Sequence, residues 1–448
     1  MARTLWPVVG ILVFNAHLGM TGPARADPLI ALEARLAQAV MQTGEGHKTY
    51  LRVALKGCDP PPNRERVPVN VALVIDRSGS MAGERLAQAR AAASLAIERL
   101  GPADVASVVT FDHAAQLLVA AQQVADRSLF IERIGRISTG GSTAIHDGVL
   151  LGAVEVRKFK DASRLNRLVL LSDGQANVGP RHPSDFAALG AALVAEGISV
   201  STIGLGAGYN EDLMLELARA SDGNHAFAKD PTDLITIFNK EFDDALNTCA
   251  QTVAVTIELE PGARVLRALS REGVIEGRSA TFRFNQVYAA TEHYVLVELE
   301  LDPALAAGVG ERELGVVSVG YAPPNDQTHH TVKAPIHVSF SASEEAIAAG
   351  RDGKVEEAVL EQITRQRALE AVRLKDAGNA NQARQLLLEN AKALDAFLAT
   401  APTSSAARLI ELNKHYQALT APAADKTLSE RKVLRALDLP AAGSATRY

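Results

Sequence analysis

Little in this 448-residue sequence supplies the usual tools of catalysis or nucleic-acid binding. It contains no G-x-S-x-G elbow, no H-E-x-x-H helix, no phosphate-binding G-x-x-x-x-G-K loop and no cysteine set beside a histidine. These absences remove the common serine, zinc, nucleotide and thiol chemistries. Basic and acidic residues nearly balance, 46 against 52, and no long basic run occurs. The chain therefore lacks the electrostatic footprint of a nucleic-acid binder. Cysteine occurs twice, as Cys58 and Cys249, which allows at most one internal disulfide. Beyond the N-terminus no apolar run is long enough to span a bilayer.

The N-terminus itself reads as a secretory signal over residues 1–26. Arg3 gives a positive start, residues 5–20 are mostly apolar, and Ala24-Arg25-Ala26 offers a small-x-small cleavage pattern. Pro7, Asn15 and His17 interrupt the apolar run and argue against a permanent anchor. With no cysteine near the cleavage point, a lipid anchor there is not expected. The expected location is periplasmic or secreted, with no stable membrane span once the signal is removed.

Along the mature chain the texture changes three times. Residues 27–66 suggest a helix over 29–41 and a strand over 48–55, where Leu51, Val53 and Leu55 alternate. Residues 67–248 alternate strands and helices. Val69 to Ile75 is a nearly continuous apolar run, as in a strand buried on both faces. Residues 85–100 then carry Leu86, Ala89, Ala93, Ile97 and Leu100 at helical spacing. This order predicts an α/β fold with a doubly wound, mostly parallel, Rossmann-like sheet and one antiparallel edge strand. Residues 249–342 alternate as an all-β sandwich, and 343–439 are helical, with a hint of a tetratricopeptide-like hairpin around Gly378-Asn379. The last nine residues, 440–448, are expected to be disordered. Cys58 and Cys249 bracket the α/β unit, which predicts that it is inserted into the sandwich. A disulfide at that neck would be worth about 5 kcal/mol at most; the alternative is a pair of buried thiols.

Three segments fall at the carboxyl ends of predicted parallel strands, where ligands of open α/β sheets bind. They are Asp76-Arg77-Ser78-Gly79-Ser80-Met81, Thr139-Gly140-Gly141-Ser142-Thr143 and Ser172-Asp173-Gly174. Asp76, Ser78, Ser80, Thr143 and Asp173 offer only oxygen, a donor set for a hard divalent ion and not for zinc. The plain alternative is that these residues cap helices, which serves one loop better than all three.

The Asp-x-Ser-x-Ser segment, with Thr143 and Asp173 in order behind it, resembles the metal-ion-dependent adhesion site of von Willebrand factor type A (VWA) domains, over residues 67–248. The resemblance implies that Ser78, Ser80 and, with ligand present, Thr143 contact Mg²⁺ (with Mn²⁺ or Ca²⁺ as substitutes). Asp76 and Asp173 would act through water, and one coordination position would accept a carboxylate from a protein partner. It implies a binding module and not an enzyme. The alternative function is an assembly or maturation factor for a periplasmic enzyme or envelope complex. Beyond this unit the likeness to inter-alpha-trypsin inhibitor heavy chains and calcium-channel accessory subunits is loose.

Overall fold

The computed structural model describes residues 29–58, 67–161, 163–206, 208–228, 233–237, 239, 247–324, 328–399, 409–410, 412–414, 416–417 and 444–445. The signal segment, most of residues 229–246 and most of the segment expected to be disordered lie outside these residues.

The α/β unit is built on one six-stranded sheet. Its strands are β4 (Val69–Asp76), β5 (Val105–Phe111), β6 (Ala115–Gln123), β7 (Leu165–Ser172), β8 (Ile198–Leu205) and β9 (His225–Ala228), in the order β6-β5-β4-β7-β8-β9. All neighbours are parallel except β5 and β6, the expected hairpin at the edge. Every residue of β4, β5, β7 and β8 is buried. The two-residue period of a strand sorts their side chains into two cores. Val69, Val71, Leu73 and Ile75 face helices α1 (Glu84–Glu98) and α2 (Arg127–Gly135). Ala72 and Val74 face α3 (Ile145–Lys158), α4 (Pro183–Ala195) and α5 (Glu211–Ala220). From β4 the chain first adds β5 on one side and later β7 on the other. The crevice created by that reversal opens at Asp76 and Ser172, the last residues of β4 and β7.

This unit interrupts a sandwich. One sheet runs β1 (Ile30–Leu36), β3 (His47–Gly57), β14 (Glu292–Leu301), β11 (Ala263–Ala268). The other runs β12 (Val274–Glu276), β13 (Ser279–Tyr288), β10 (Thr248–Leu259), β15 (Gly310–Ala322), β16 (His330–Ser341), β2 (Val40–Gln42). Inward residues of both sheets, among them Leu51, Val53, Val255, Phe282, Val297 and Phe340, form a single core. The α/β unit leaves after β3 and rejoins at β10, as an insertion requires.

Two expectations are corrected. Residues 29–41, read as a helix, instead give β1 and β2. β1 pairs antiparallel with β3 from Ile30↔Gly57 to Leu36↔Leu51, and β2 lies parallel to β16. Helix-forming Ala, Leu and Glu are overridden here by the sheet edge that needs a partner. The expected Cys58–Cys249 disulfide is not formed in this structure. A Cβ on Gly57 would fall 2.7 Å from the Cys249 Sγ. That sulfur is directed at the Leu29 carbonyl, 3.5 Å away.

The helical tail packs on the sandwich. After a short helix, α6 (Glu344–Ala349), helix α7 (Gly353–Asp376) lays Val355, Ala358 and Val359 against Ala54, Tyr294 and Leu296. It turns at Gly378, φ +83°, into α8 (Ala380–Leu398), where the sequence places its stop signal. Among the described residues no helix is long and apolar enough to cross a membrane.

The α/β unit stands on the sandwich by its amino-terminal sheet edge. Arg167, near the start of β7 and only 2% exposed, donates to Gln286 Oε1 (3.3 Å) and to the Tyr288 hydroxyl on β13. Asn285 Nδ2 donates to Ser199 Oγ at 3.2 Å, and Asp222 pairs with Arg271 at 2.6 Å. The carboxyl-terminal edge, with the three loops, therefore faces away from the sandwich.

Candidate metal site at the carboxyl edge of the sheet

Asp76 closes β4 and is completely buried. Its Oδ1 accepts from the Ser78 backbone N–H at 2.7 Å, which folds the next residues into a tight turn, Gly79–Met81. Its Oδ2 accepts from Ser172 Oγ at 2.6 Å, tying the end of β4 to the end of β7. Burial pushes the Asp76 carboxyl up to about 6; the hydrogen bonds from Ser172 and Ser78 pull it down, and the nearby Asp173 raises it. A carboxylate so placed is costly unless a cation compensates its charge.

The turn brings Ser78 Oγ within 3.1 Å of Ser80 Oγ, and Ser80 Oγ donates to Asp173 Oδ1 at 2.7 Å. The first and third segments are thus in direct contact. Thr143 reaches the same place from the second. A Cβ on Gly174 would lie 3.1 Å from Thr143 Oγ1 and 3.4 Å from Asp76 Oδ2, so both oxygens close around a position where only glycine fits comfortably. Thr143 is held through its backbone, whose N–H donates to Asn177 Oδ1 at 2.7 Å. All five residues singled out in the sequence therefore meet at one sheet edge.

The second loop owes its shape to Asp112, which sequence reasoning missed. Asp112 follows β5 and is buried; its carboxylate pairs with Arg77 and lies 2.9 Å from His113 Nδ1. A Cβ on Gly140 would lie 2.0 Å from Asp112 Oδ2, so the glycine lets the loop lie flat on that carboxylate. Gly140 N–H donates to the Arg77 carbonyl at 2.6 Å, and Gly79 N–H to the Gly141 carbonyl at 2.9 Å. The available signal was position: Asp112 also sits just past a buried parallel strand. Arg85 was missed too, since a charge on the first turn of a surface helix looks solvated. Its Nη1 lies 2.7 Å from Asp173 Oδ2 and 3.2 Å from the Ser80 carbonyl.

Two histidines outside the oxygen cluster serve packing. His146 packs edge-on against Phe186, ring centres 5.7 Å apart. His330 stacks on Tyr321.

Two carboxylates and three hydroxyls, without thiolate or imidazole, suit a hard divalent cation of the Mg²⁺ class. Among the described residues no three acidic, histidine or cysteine side chains are placed to hold a metal ion together, so the donor set here is mixed carboxylate and hydroxyl. A guanidinium already lying on Asp173 shows that the pocket draws positive charge.

Comparison with known proteins agrees with this architecture. An uncharacterised Synechocystis protein is 27% identical over 357 residues, covering 76% of this chain and 82% of the relative. The mouse inter-alpha-trypsin inhibitor heavy chain H2 is 29% identical over 174 residues, 36% of this chain and only 18% of that protein. A solved von Willebrand factor type A protein from Catenulispora acidiphila superposes with a TM-score of 0.72 at 15% identity, covering 94% of this chain and 99% of its own. Its likeness thus extends through sandwich and tail, as a matter of fold. Residues 70–240 match the von Willebrand factor type A domain family. The α/β unit of this chain is a VWA domain, carried as an insertion in a β-sandwich.

Proposed function

We propose that the protein is an exported, metal-dependent protein-binding module. Its VWA site holds Mg²⁺ and, through it, an acidic side chain of a protein partner. VWA domains typically mediate protein–protein interaction through such metal sites. The observation that carries the reading is the convergence of Asp76, Ser78, Ser80, Thr143 and Asp173 at one sheet edge. In this arrangement the hydroxyls of Ser78, Ser80 and Thr143 contact the ion, while Asp76 and Asp173 orient its waters. A bound ion supplies electrophilicity: with few anions touching it directly, it gains most from an incoming carboxylate. Export rests on the N-terminal sequence pattern and places the site in the periplasm or outside the cell. No catalytic role is proposed.

The test is capture of partners from a native envelope extract, in Mg²⁺ and in chelator. The full chain retains a partner in Mg²⁺, releases it on chelation, and loses it in Asp76→Ala. A partner held equally in chelator and by the variant would contradict the proposal.

A further inference from the structure

The two buried carboxylates of the site are restrained differently. Asp76 is pinned by groups that have nowhere to go: the Ser78 backbone N–H and the Ser172 hydroxyl behind it. Asp173, whose side chain is fully buried, has one oxygen on Ser80 Oγ and the other on the guanidinium of Arg85. Arg85 rises from the first turn of α1, its side chain 41% exposed. The guanidinium lies over Gly206, where a Cβ would be 3.4 Å from Nη2, and also donates to the Ser80 carbonyl. It is a cation on a long, partly solvated stem, more exposed than the Arg77 that holds Asp112.

We propose that Arg85 is the built-in counter-ion of the metal site, competing with the divalent ion for Asp173 and setting the concentration at which the site loads. The inference rests on the metal-site reading above. A divalent cation drawn to Ser78 and Ser80 arrives next to Asp173, since Ser80 Oγ touches that carboxylate. Even with water between the ion and Asp173, two cations beside one buried carboxylate repel where bulk water is scarce. The partly exposed guanidinium can move into solvent, and the carboxylate cannot. Metal entry and the Arg85–Asp173 pair therefore exclude one another. Without metal, the pair gives Asp173 the counter-charge that burial demands.

The experiment is titration of the full chain with Mn²⁺, followed by electron paramagnetic resonance, for the native protein, Arg85→Gln and Asp76→Ala. Removing the competitor is expected to tighten Mn²⁺ binding roughly three- to tenfold, the range a charge-assisted, partly exposed ion pair supports. It should also lower the Tm measured in chelator. Unchanged or weaker Mn²⁺ binding by Arg85→Gln, with the native protein binding normally, overturns this inference alone. Failure of the native protein and Arg85→Gln alike to bind Mn²⁺ overturns the metal reading and this inference with it. If Arg85→Gln does not fold, the native protein crystallised with Mn²⁺ decides: Arg85 is expected to have left Asp173, and an intact pair beside the bound ion contradicts the competition.

Discussion

Gly140 has no donor of its own at the site, yet the second loop depends on it. With the Asp112 oxygen 2.0 Å from where a Cβ would be, Gly140→Ala must push the loop off a buried carboxylate or that carboxylate off Arg77. The expected cost is about 1–3 kcal/mol in urea unfolding, with weaker metal binding because Thr143 follows three residues later. Full stability and full metal affinity in the variant would show that the loop is not held this way. His293 gives a residue-scale prediction about pH. It is buried beside Phe284 and Tyr288, and its imidazole is pushed down to about 4 by burial; Asp222 opposes the shift and Arg271 adds to it. Unfolded, the same ring takes its proton near 6.5. Between these values the unfolded chain binds more protons, so stability is fully present above about pH 6.5 and declines as the pH falls toward 4. His293→Phe should flatten that decline by up to roughly 3 kcal/mol, as read from denaturant midpoints across the window. An unaltered slope would exclude His293 as its source.

Among the elements, α7 binds the tail to the sandwich and its start is well defined. Asp352 accepts from the N–H groups of Lys354 and Val355, at 3.0 and 3.2 Å, and pairs with Arg35 on β1. Asp352→Ala is expected to cost about 1 kcal/mol, measurable in thermal unfolding; no change would mean that the tail's packing alone fixes this helix. Elements were legible in the sequence in proportion to how locally they are determined. The strands β4, β7 and β8 are mostly apolar along their middles because both faces are covered, and α7 and α8 show their break at Gly378. β1 was not legible: Ile30 to Leu36 carries Ala, Leu, Glu and Arg, all good helix formers, and only the distant β3 edge makes it a strand. The short β2 and β12 likewise exist through their partners β16 and β13. At the site, residues inside a dense motif were readable, whereas Asp112 and Arg85 act across loops, and nothing in local spacing announces those contacts.

For the molecule as a whole, the polar footing beneath the VWA domain matters as much as its summit. Arg167 is buried between the two units and holds Gln286 and Tyr288. Arg167→Ala leaves their polar groups facing a void, at about 1–3 kcal/mol for buried hydrogen-bonding groups left unmatched. It should also separate the unfolding of domain and sandwich into two calorimetric transitions, whereas a single unshifted transition would show the footing to be dispensable. Because that footing is opposite the metal loops, the fold presents the site outward, unobstructed by the sandwich. The central claim is that side-chain oxygens from three separated segments share one divalent ion. Anomalous diffraction from crystals of the full chain grown with Mn²⁺ addresses it directly. The account predicts one strong peak within coordination distance of the Ser78, Ser80 and Thr143 hydroxyls; a site without a peak at saturating Mn²⁺, or a peak bound elsewhere, would contradict it.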